Sequence, residues 1–86
     1  MTESEFHPFH NRFCKFTLIS GEEIGGVIIH FDFDFGHSHQ PAKYYLIRNY
    51  NMIEYKNAEQ IGDIKRCKTL SELFDISNIV EAETLV

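Results

Sequence analysis

Histidine and aspartate side chains are concentrated in one stretch of the chain, between residues 30 and 39. A strand that continues through this stretch would place alternate side chains on opposite faces, with the polar ones on one face and the phenylalanines on the other. Imidazole and carboxylate groups gathered in this way are ligands for a divalent metal ion. The candidate metal ligands are His30, Asp32, Asp34, His37 and His39. The same alternation is also typical of a strand with one wet face and one core face, so both interpretations stay open.

Two thiols are the strongest nucleophiles in the chain, but nothing in the sequence positions a base for them. Cys14 and Cys67 lie far apart, and no CxxC pair is present. A catalytic nucleophile needs a base and an oxyanion site, and the glycines lack the spacing of a phosphate-binding loop. We therefore expect both cysteines to be small core residues, and the protein to be no enzyme and to need no cofactor.

Aromatic side chains that suit a binding surface lie on or beside the predicted third strand. They are Tyr44, Tyr45, Tyr50 and Tyr55. Alternation should turn half of them inward, which leaves the others available to a protein interface or to stacking on nucleic-acid bases. The formal net charge of −5 favours a protein partner, because phosphate-binding modules are usually basic.

The 86 residues, 43% hydrophobic and 14% aromatic, indicate one small globular domain over residues 1–86. The positive residues cluster only at Lys65, Arg66 and Lys68, which fits a solvated helix face, so nucleic-acid binding is disfavoured. We expect residues 1–11 to be a loose tail or a short lead-in. His7 and His10 could join the cluster of candidate metal ligands, but a mobile tail is the simpler interpretation. The first residues lack the basic and apolar regions of a signal peptide, and no apolar run approaches about 20 residues, so we expect a cytoplasmic protein with reduced thiols and no membrane contact.

The first two predicted strands form a hairpin with a bend. Alternation predicts strand one from Arg12 to Ile19, a turn at Gly21, and strand two from Ile24 to about Phe35. A double glycine at residues 25 and 26 typically marks a bulge or a sharp bend. A loop over residues 36–42 then leads to strand three, over residues 43–50.

The hydrophobic period changes after strand three, which predicts a helical insertion over residues 51–71. Asn51 with Glu54 has the spacing of a capping box, Gly62 suits a helix C-terminus, and Asp63 suits the cap of a second helix. The end of the chain predicts two short strands, over residues 73–76 and 80–85, with a tight turn at residues 77 and 78. One continuous amphipathic helix from Leu70 is the competing interpretation.

The bent hairpin resembles the first motif of the Sm-like branch of SH3-type barrels. The matching positions are Leu18, Gly21, Ile24, Gly26, Ile28, Phe31 and Asp32. The resemblance implies a small closed barrel and assembly into rings or pairs, with Asp32 carried over as a structural match. The chain departs from the family where an RNA-binding asparagine would follow Asp32, and where an arginine–glycine pair would replace Ser77-Asn78, which weakens the implication of RNA binding.

These observations predict a mainly β (α+β) fold, a five-stranded Sm-like or SH3-like barrel with a helical insertion between strands three and four. We expect a non-enzymatic interaction module that self-associates and binds a protein partner through the third strand or a strand edge. Two alternatives remain: an Sm-like protein that binds single-stranded RNA, and a metal-binding protein that uses the segment from His30 to His39.

Overall fold

Five antiparallel strands and three helices make up the fold in the computed structural model, which describes residues 1–33 and 43–85. The strands are β1 (Phe13–Leu18), β2 (Glu23–Phe31), β3 (Lys43–Arg48), β4 (Glu72–Leu73) and β5 (Ile79–Thr84). The helices are α1 (Glu3–Phe6), α2 (Met52–Gln60) and α3 (Ile64–Leu70), and single 3-10 turns span His7–Phe9, Asn49–Asn51 and Ile76–Asn78. Among these described residues, no helix is long and apolar enough to cross a membrane.

The predicted hairpin of β1 and β2 is confirmed. The strands pair in antiparallel register, with Phe16 opposite Ile24. Gly21 takes a left-handed backbone angle (φ 88°), and its N–H donates to the carbonyl of Leu18 at 2.8 Å. Glycine adopts this conformation without the steric cost that a Cβ atom brings, which is why the turn forms here.

A close approach between β2 and β3 explains the second of the paired glycines. A Cβ atom on Gly26 would lie 2.2 Å from the carbonyl oxygen of Ile47. No side chain fits at that distance, so the glycine lets the two backbones come together. At Gly25 the nearest atom to such a Cβ is 3.6 Å away, on the side chain of Asn49, which is an ordinary contact.

The strand order in the sheet is β4-β3-β2-β1-β5. Each pairing is antiparallel, including the predicted hairpin of β1 and β2. Within the described residues, β4 and β5 form the two ends of the sheet and no ladder joins them. The observed structure is therefore an open α+β sheet of five strands.

The main core lies on the inner face of the sheet and draws residues from the four longer strands. It also includes Phe6 of α1 and Ile76 of the last 3-10 turn. Its buried members are Phe6, Cys14, Phe16, Ile24, Ile28, Leu46, Ile76 and Ile79. Because β2 alternates, Val27 and Ile29 lie on the opposite, outer face. There a second cluster joins the sheet to the helices, formed by Phe33, Ile47, Tyr55, Ala58 and Cys67.

The predicted helical insertion is confirmed as the hairpin of α2 and α3. Gly62 is left-handed (φ 73°) at the corner, and the Asp63 carboxylate accepts from the N–H of Arg66 at 3.1 Å. The predicted capping box at Asn51 is wrong. Asn51 has a helical backbone (φ −101°, ψ −3°) and makes no side-chain cap hydrogen bond. A 3-10 turn already precedes α2, so Asn51 does not occupy the extended position from which a cap side chain reaches back.

Both ends of the chain are more ordered than a sequence pattern reveals. The last segment forms two strands, β4 and β5, as predicted, and the continuous helix is wrong. The first strand is shorter than the predicted 73–76, because Ile76 already lies in a 3-10 turn. The Asp75 carboxylate accepts from the N–H of Ser77 at 2.9 Å and starts a 3-10 turn, which ends β4 after two residues.

At the start of the chain, a capping box between Thr2 and Glu5 begins α1, and Phe6 is buried in the main core. Residues 1–11 are therefore an ordered lead-in.

Candidate interaction surfaces

The two tyrosines of β3 face opposite sides of the sheet. Tyr44 stacks on the ring of His30, with centroids 4.5 Å apart and planes at 15°. Tyr45 makes an edge contact with Phe33 on the other side, at 4.7 Å between centroids. Adjacent strand residues alternate in this way, so Tyr44 and Tyr45 do not share one surface.

The remaining two tyrosines differ sharply in exposure. Tyr55 is buried beside Cys67 in the second cluster, and burial, with smaller contributions from Cys67 and Glu59, raises the pKa of its hydroxyl to about 12. Tyr50 is 74% exposed in the 3-10 turn before α2. The four tyrosines predicted to bind a partner are thus dispersed, and Tyr50 is the one that projects into solvent.

The predicted metal ligands fall partly outside the described residues. Strand β2 ends at Phe31, so the structure places His30 within the strand and Asp32 just after it. Asp34, His37 and His39 lie outside the described ranges. Within residues 1–33 and 43–85, no three His, Cys, Asp or Glu side chains are grouped to hold a metal ion. The metal site stays a prediction.

His10 has a structural role that sequence reasoning missed. Its Nε2 atom accepts from the backbone N–H of His30 at 2.9 Å, which ties the lead-in to β2. Burial, followed by the nearby charges of His30 and His7, lowers the pKa of His10 and favours the neutral imidazole that this bond requires. The partners are twenty residues apart and no hydrophobic period connects them, so the sequence carries no signal of the contact.

Both cysteines lie in the core, as predicted. Cys14 is fully buried in the main core, and Cys67 is buried under the helical hairpin. Burial raises the pKa of each thiol, which disfavours the thiolate that acts as a nucleophile. Neither thiol has the solvent access of a reactive cysteine.

Strand β5 ends the sheet, and among the described residues no strand pairs with its outer side. The N-terminal ammonium of Met1 donates to the carbonyl of Ile79 at 2.6 Å, so the first residue of this edge already has a partner. The N–H of Leu85 donates to the carbonyl of Phe13 at 2.9 Å, and Glu83 pairs with Lys15. Because the direction of the N–H groups alternates along an antiparallel strand, those of Ala82 and Thr84 point away from β1. Beside this edge, Val80 is 59% exposed.

The opposite edge of the sheet, β4, also carries an exposed apolar side chain. Leu73 is 64% exposed, although its strand pairs with β3. Next to it, the guanidinium of Arg48 donates two hydrogen bonds from Nε and one from Nη2 to the Glu72 carboxylate, at 3.0–3.2 Å. This charge-assisted contact neutralises the acidic group of the short strand and holds β4 against β3.

The outer face of β5 is acidic, in contrast to the β4 edge, where Arg48 pairs with Glu72. Glu81 and Glu83 lie on this face, and Lys15 of β1 forms a salt bridge to Glu83 at 3.7 Å and to Glu23 at 4.0 Å. Two β5 edges paired with each other would bring these glutamates together, which is unfavourable for like charges. An edge whose acid is already neutralised, like β4, is a better electrostatic match.

The short basic cluster of α3 is partly engaged within the protein. The guanidinium of Arg66 contacts the carboxylate of Glu54 on α2. This ion pair spans the helical hairpin and fits the prediction of a solvated helix face.

A scan against protein-family models, a search of curated proteins and a search of solved structures each found no match for this chain. The fold class and the surfaces described above are therefore the observations from which a function can be inferred.

Proposed function

We propose that this protein is a non-enzymatic interaction module that self-associates through the two edges of its sheet. In the proposed assembly, β5 of one copy pairs with β4 of the next and continues the sheet from copy to copy. Such a head-to-tail contact closes into a ring when the rotation between copies permits, as the resemblance to Sm-like proteins implies. The two free cysteines fit a reducing cytoplasm.

Within the α+β class, we propose that the fold is an Sm-like or SH3-like barrel. Phe16 of β1, Ile28 of β2 and Ile79 of β5 share one core with Leu46 of β3. A barrel likewise packs the inner faces of its strands around one core, so this shared core supports the proposal. The close approach of the β2 and β3 backbones at Gly26 is compatible with the same interpretation.

The observation that carries the assembly is the pair of terminal strands, each with an exposed apolar side chain. Leu73 and Val80 are both more than half exposed, and β5 offers the N–H groups of Ala82 and Thr84. A terminal strand whose outer side is paired with no other strand is a template for pairing with a second chain. The neutralised Glu72 on one edge and the acidic face of the other favour β4–β5 contact over β5–β5 contact.

Charge substitutions at the two edges test this assembly by light scattering. Leu73→Lys and Val80→Glu should each lower the molar mass of the assembly in solution. Each variant alone would bury a charged side chain against the apolar side chain of the neighbouring copy. The double variant should regain the mass of the wild type, since every contact then joins a lysine to a glutamate. Recovery in the double variant distinguishes head-to-tail pairing from symmetric pairing of like edges.

Ile61→Lys is the matched control, because Ile61 is 79% exposed at the corner of the helical hairpin, outside both edge strands. Its mass should equal that of the wild type. A monomeric wild-type protein at high concentration, or a mass that falls only with Ile61→Lys, would rule out edge pairing.

We further propose that a protein partner binds the outer side of the helical hairpin. Tyr50 and Ile53 lie about one helical turn apart at its start and are 74% and 79% exposed. Aromatic and aliphatic side chains at such exposure are candidates for interface anchors. The candidate partner site is therefore this surface, which keeps Tyr50 of the four predicted tyrosines and adds Ile53.

Affinity purification from the native cells, followed by mass spectrometry, tests this surface. Ile53→Asp should lose a protein that the wild type retains, whereas His7→Asp, at an exposed position outside the helical hairpin, should retain it. Identical sets of proteins with both variants would contradict the proposal.

A further inference from the structure

A cleft lies between the outer face of the sheet and the helical hairpin, and it encloses about 720 Å³. One wall is the outer face of β1 and β2, at Phe13, Val27 and Ile29. The other wall is α2, at Met52 and Tyr55. Its volume falls in the range of about 300–1,000 Å³ that is typical of small-molecule sites.

The packing of the hairpin explains why the cleft exists. Tyr55 and Cys67 pack with Ile47, so the hairpin covers β3. The neighbouring strand β2 also presents apolar side chains on the outer face, but α2 and α3 do not cover them completely. Ile29 and Phe31 therefore keep partial exposure in an apolar channel.

Aromatic rings form part of the wall. Phe33 makes edge contacts with Phe31 at 4.9 Å and with Tyr45 at 4.7 Å between ring centroids. Aromatic pairs prefer these edge-to-face arrangements, so a further ring can join the same set of contacts. The wall thus favours an aromatic ligand over a polar one.

Several of the polar groups that line the cleft can donate hydrogen bonds. Because Nε2 of His10 accepts from the N–H of His30, the proton of the neutral ring is on Nδ1, which is then a donor. Asn11 adds an amide, and its left-handed backbone (φ 57°) is held by its N–H, which donates to the carbonyl of Ile28 at 2.9 Å. Lys56 of α2 adds an ammonium group, and Glu59 is the one carboxylate among the lining residues that the structure describes.

We propose that this cleft binds a small aromatic carboxylate. The ring of the ligand packs against Ile29 and the phenylalanines, and its carboxylate accepts hydrogen bonds at the rim, with Lys56 as its charge partner. This site lies outside the strand edges and the exposed side of the hairpin, so it goes beyond the interactions proposed above and does not depend on them.

Titration with 4-phenylbutyrate, followed by backbone amide NMR shifts of the full chain, tests the proposal, with the uncharged 4-phenylbutyramide as matched probe. We expect saturable shifts at Val27, Ile29 and Tyr55, and weaker binding of the amide. Lys56→Glu should raise the Kd for the carboxylate about three- to fivefold and leave that for the amide unchanged. Lys65→Glu makes the same charge change on α3, away from the cleft, and should leave both values unchanged.

Ile29→Trp fills the cleft and should abolish binding of both probes. If this variant does not fold, Lys56→Glu, which changes an exposed side chain, still decides the question. Shifts that do not saturate, shifts that map away from the cleft, or equal carboxylate affinity in the wild type and Lys56→Glu would overturn the proposal.

Discussion

At the scale of single residues, backbone proximity imposes the strictest requirement on the sequence. The carbonyl of Ile47 occupies the space that a side chain at position 26 would need, whereas position 25 has room for a methyl group. The sequence predicted a bend at this pair of glycines. It did not tell which of the two is indispensable, because that depends on a contact with β3, some twenty residues away.

Gly26→Ala should therefore lower the free energy of unfolding by about 1–3 kcal/mol, since β2 and β3 must separate to admit the methyl group. Gly25→Ala is the matched control and should be neutral or stabilising by up to about 1 kcal/mol, because alanine loses less backbone entropy than glycine on folding. Urea denaturation measures both values. Equal losses in the two variants would contradict the close approach.

His10 predicts a pH dependence of stability. Its pKa is lowered in the folded protein, so below the ordinary value of about 6.5 the unfolded chain binds more protons than the folded one. Stability is thus complete above that pH and falls as the pH decreases toward the folded pKa. His10→Gln does not titrate in this range, so it should lose less stability than the wild type between pH 7.5 and pH 5.5.

Urea denaturation at the two pH values measures this difference. His7→Gln is the control, because His7 is exposed. This variant should keep most of the loss of unfolding free energy that the wild type shows between the two pH values. If His10→Gln loses as much unfolding free energy as the wild type between the two pH values, the contact of His10 with His30 is not the cause of the pH dependence.

At the scale of elements, sequence patterns predicted type and order well and boundaries less well. Period-two alternation gave β1 and β2, and the change of period after strand three gave the helical hairpin. Asp63 caps α3 as predicted, whereas the equally favourable motif at Asn51 and Glu54 caps nothing. The difference arises because a 3-10 turn extends α2 backward, and local motifs do not reveal where the preceding backbone is already helical.

Asp63→Ala should cost about 1 kcal/mol of unfolding free energy, because the N–H of Arg66 loses its acceptor. Asn51→Ala should change stability by less than about 0.5 kcal/mol, since its side chain makes no cap bond. Thermal denaturation of the two variants checks this order. A larger loss at Asn51 would mean that the capping box exists in solution.

At the scale of the whole molecule, the sequence predicted a small β-rich domain with an inserted helical hairpin, and it identified the tyrosines, histidines and aspartates as candidate site residues. Composition could not reveal which of these share a surface. Tyr44 and Tyr45 face opposite sides, Tyr55 is buried, and His10 belongs to an ordered lead-in rather than a tail. These placements depend on tertiary packing between distant segments. The edges and the cleft likewise emerge only when the strands are assembled.

Hydrogen exchange at Ala82 and Thr84 measures edge pairing between copies at the backbone groups that would form it. The N–H groups of these residues point away from β1, so they exchange rapidly in a single copy and slowly once another strand pairs with them. We predict that their protection rises with protein concentration, while that of Glu83, which already pairs within the sheet, stays constant. Rapid exchange at Ala82 and Thr84 at every concentration would contradict the assembly.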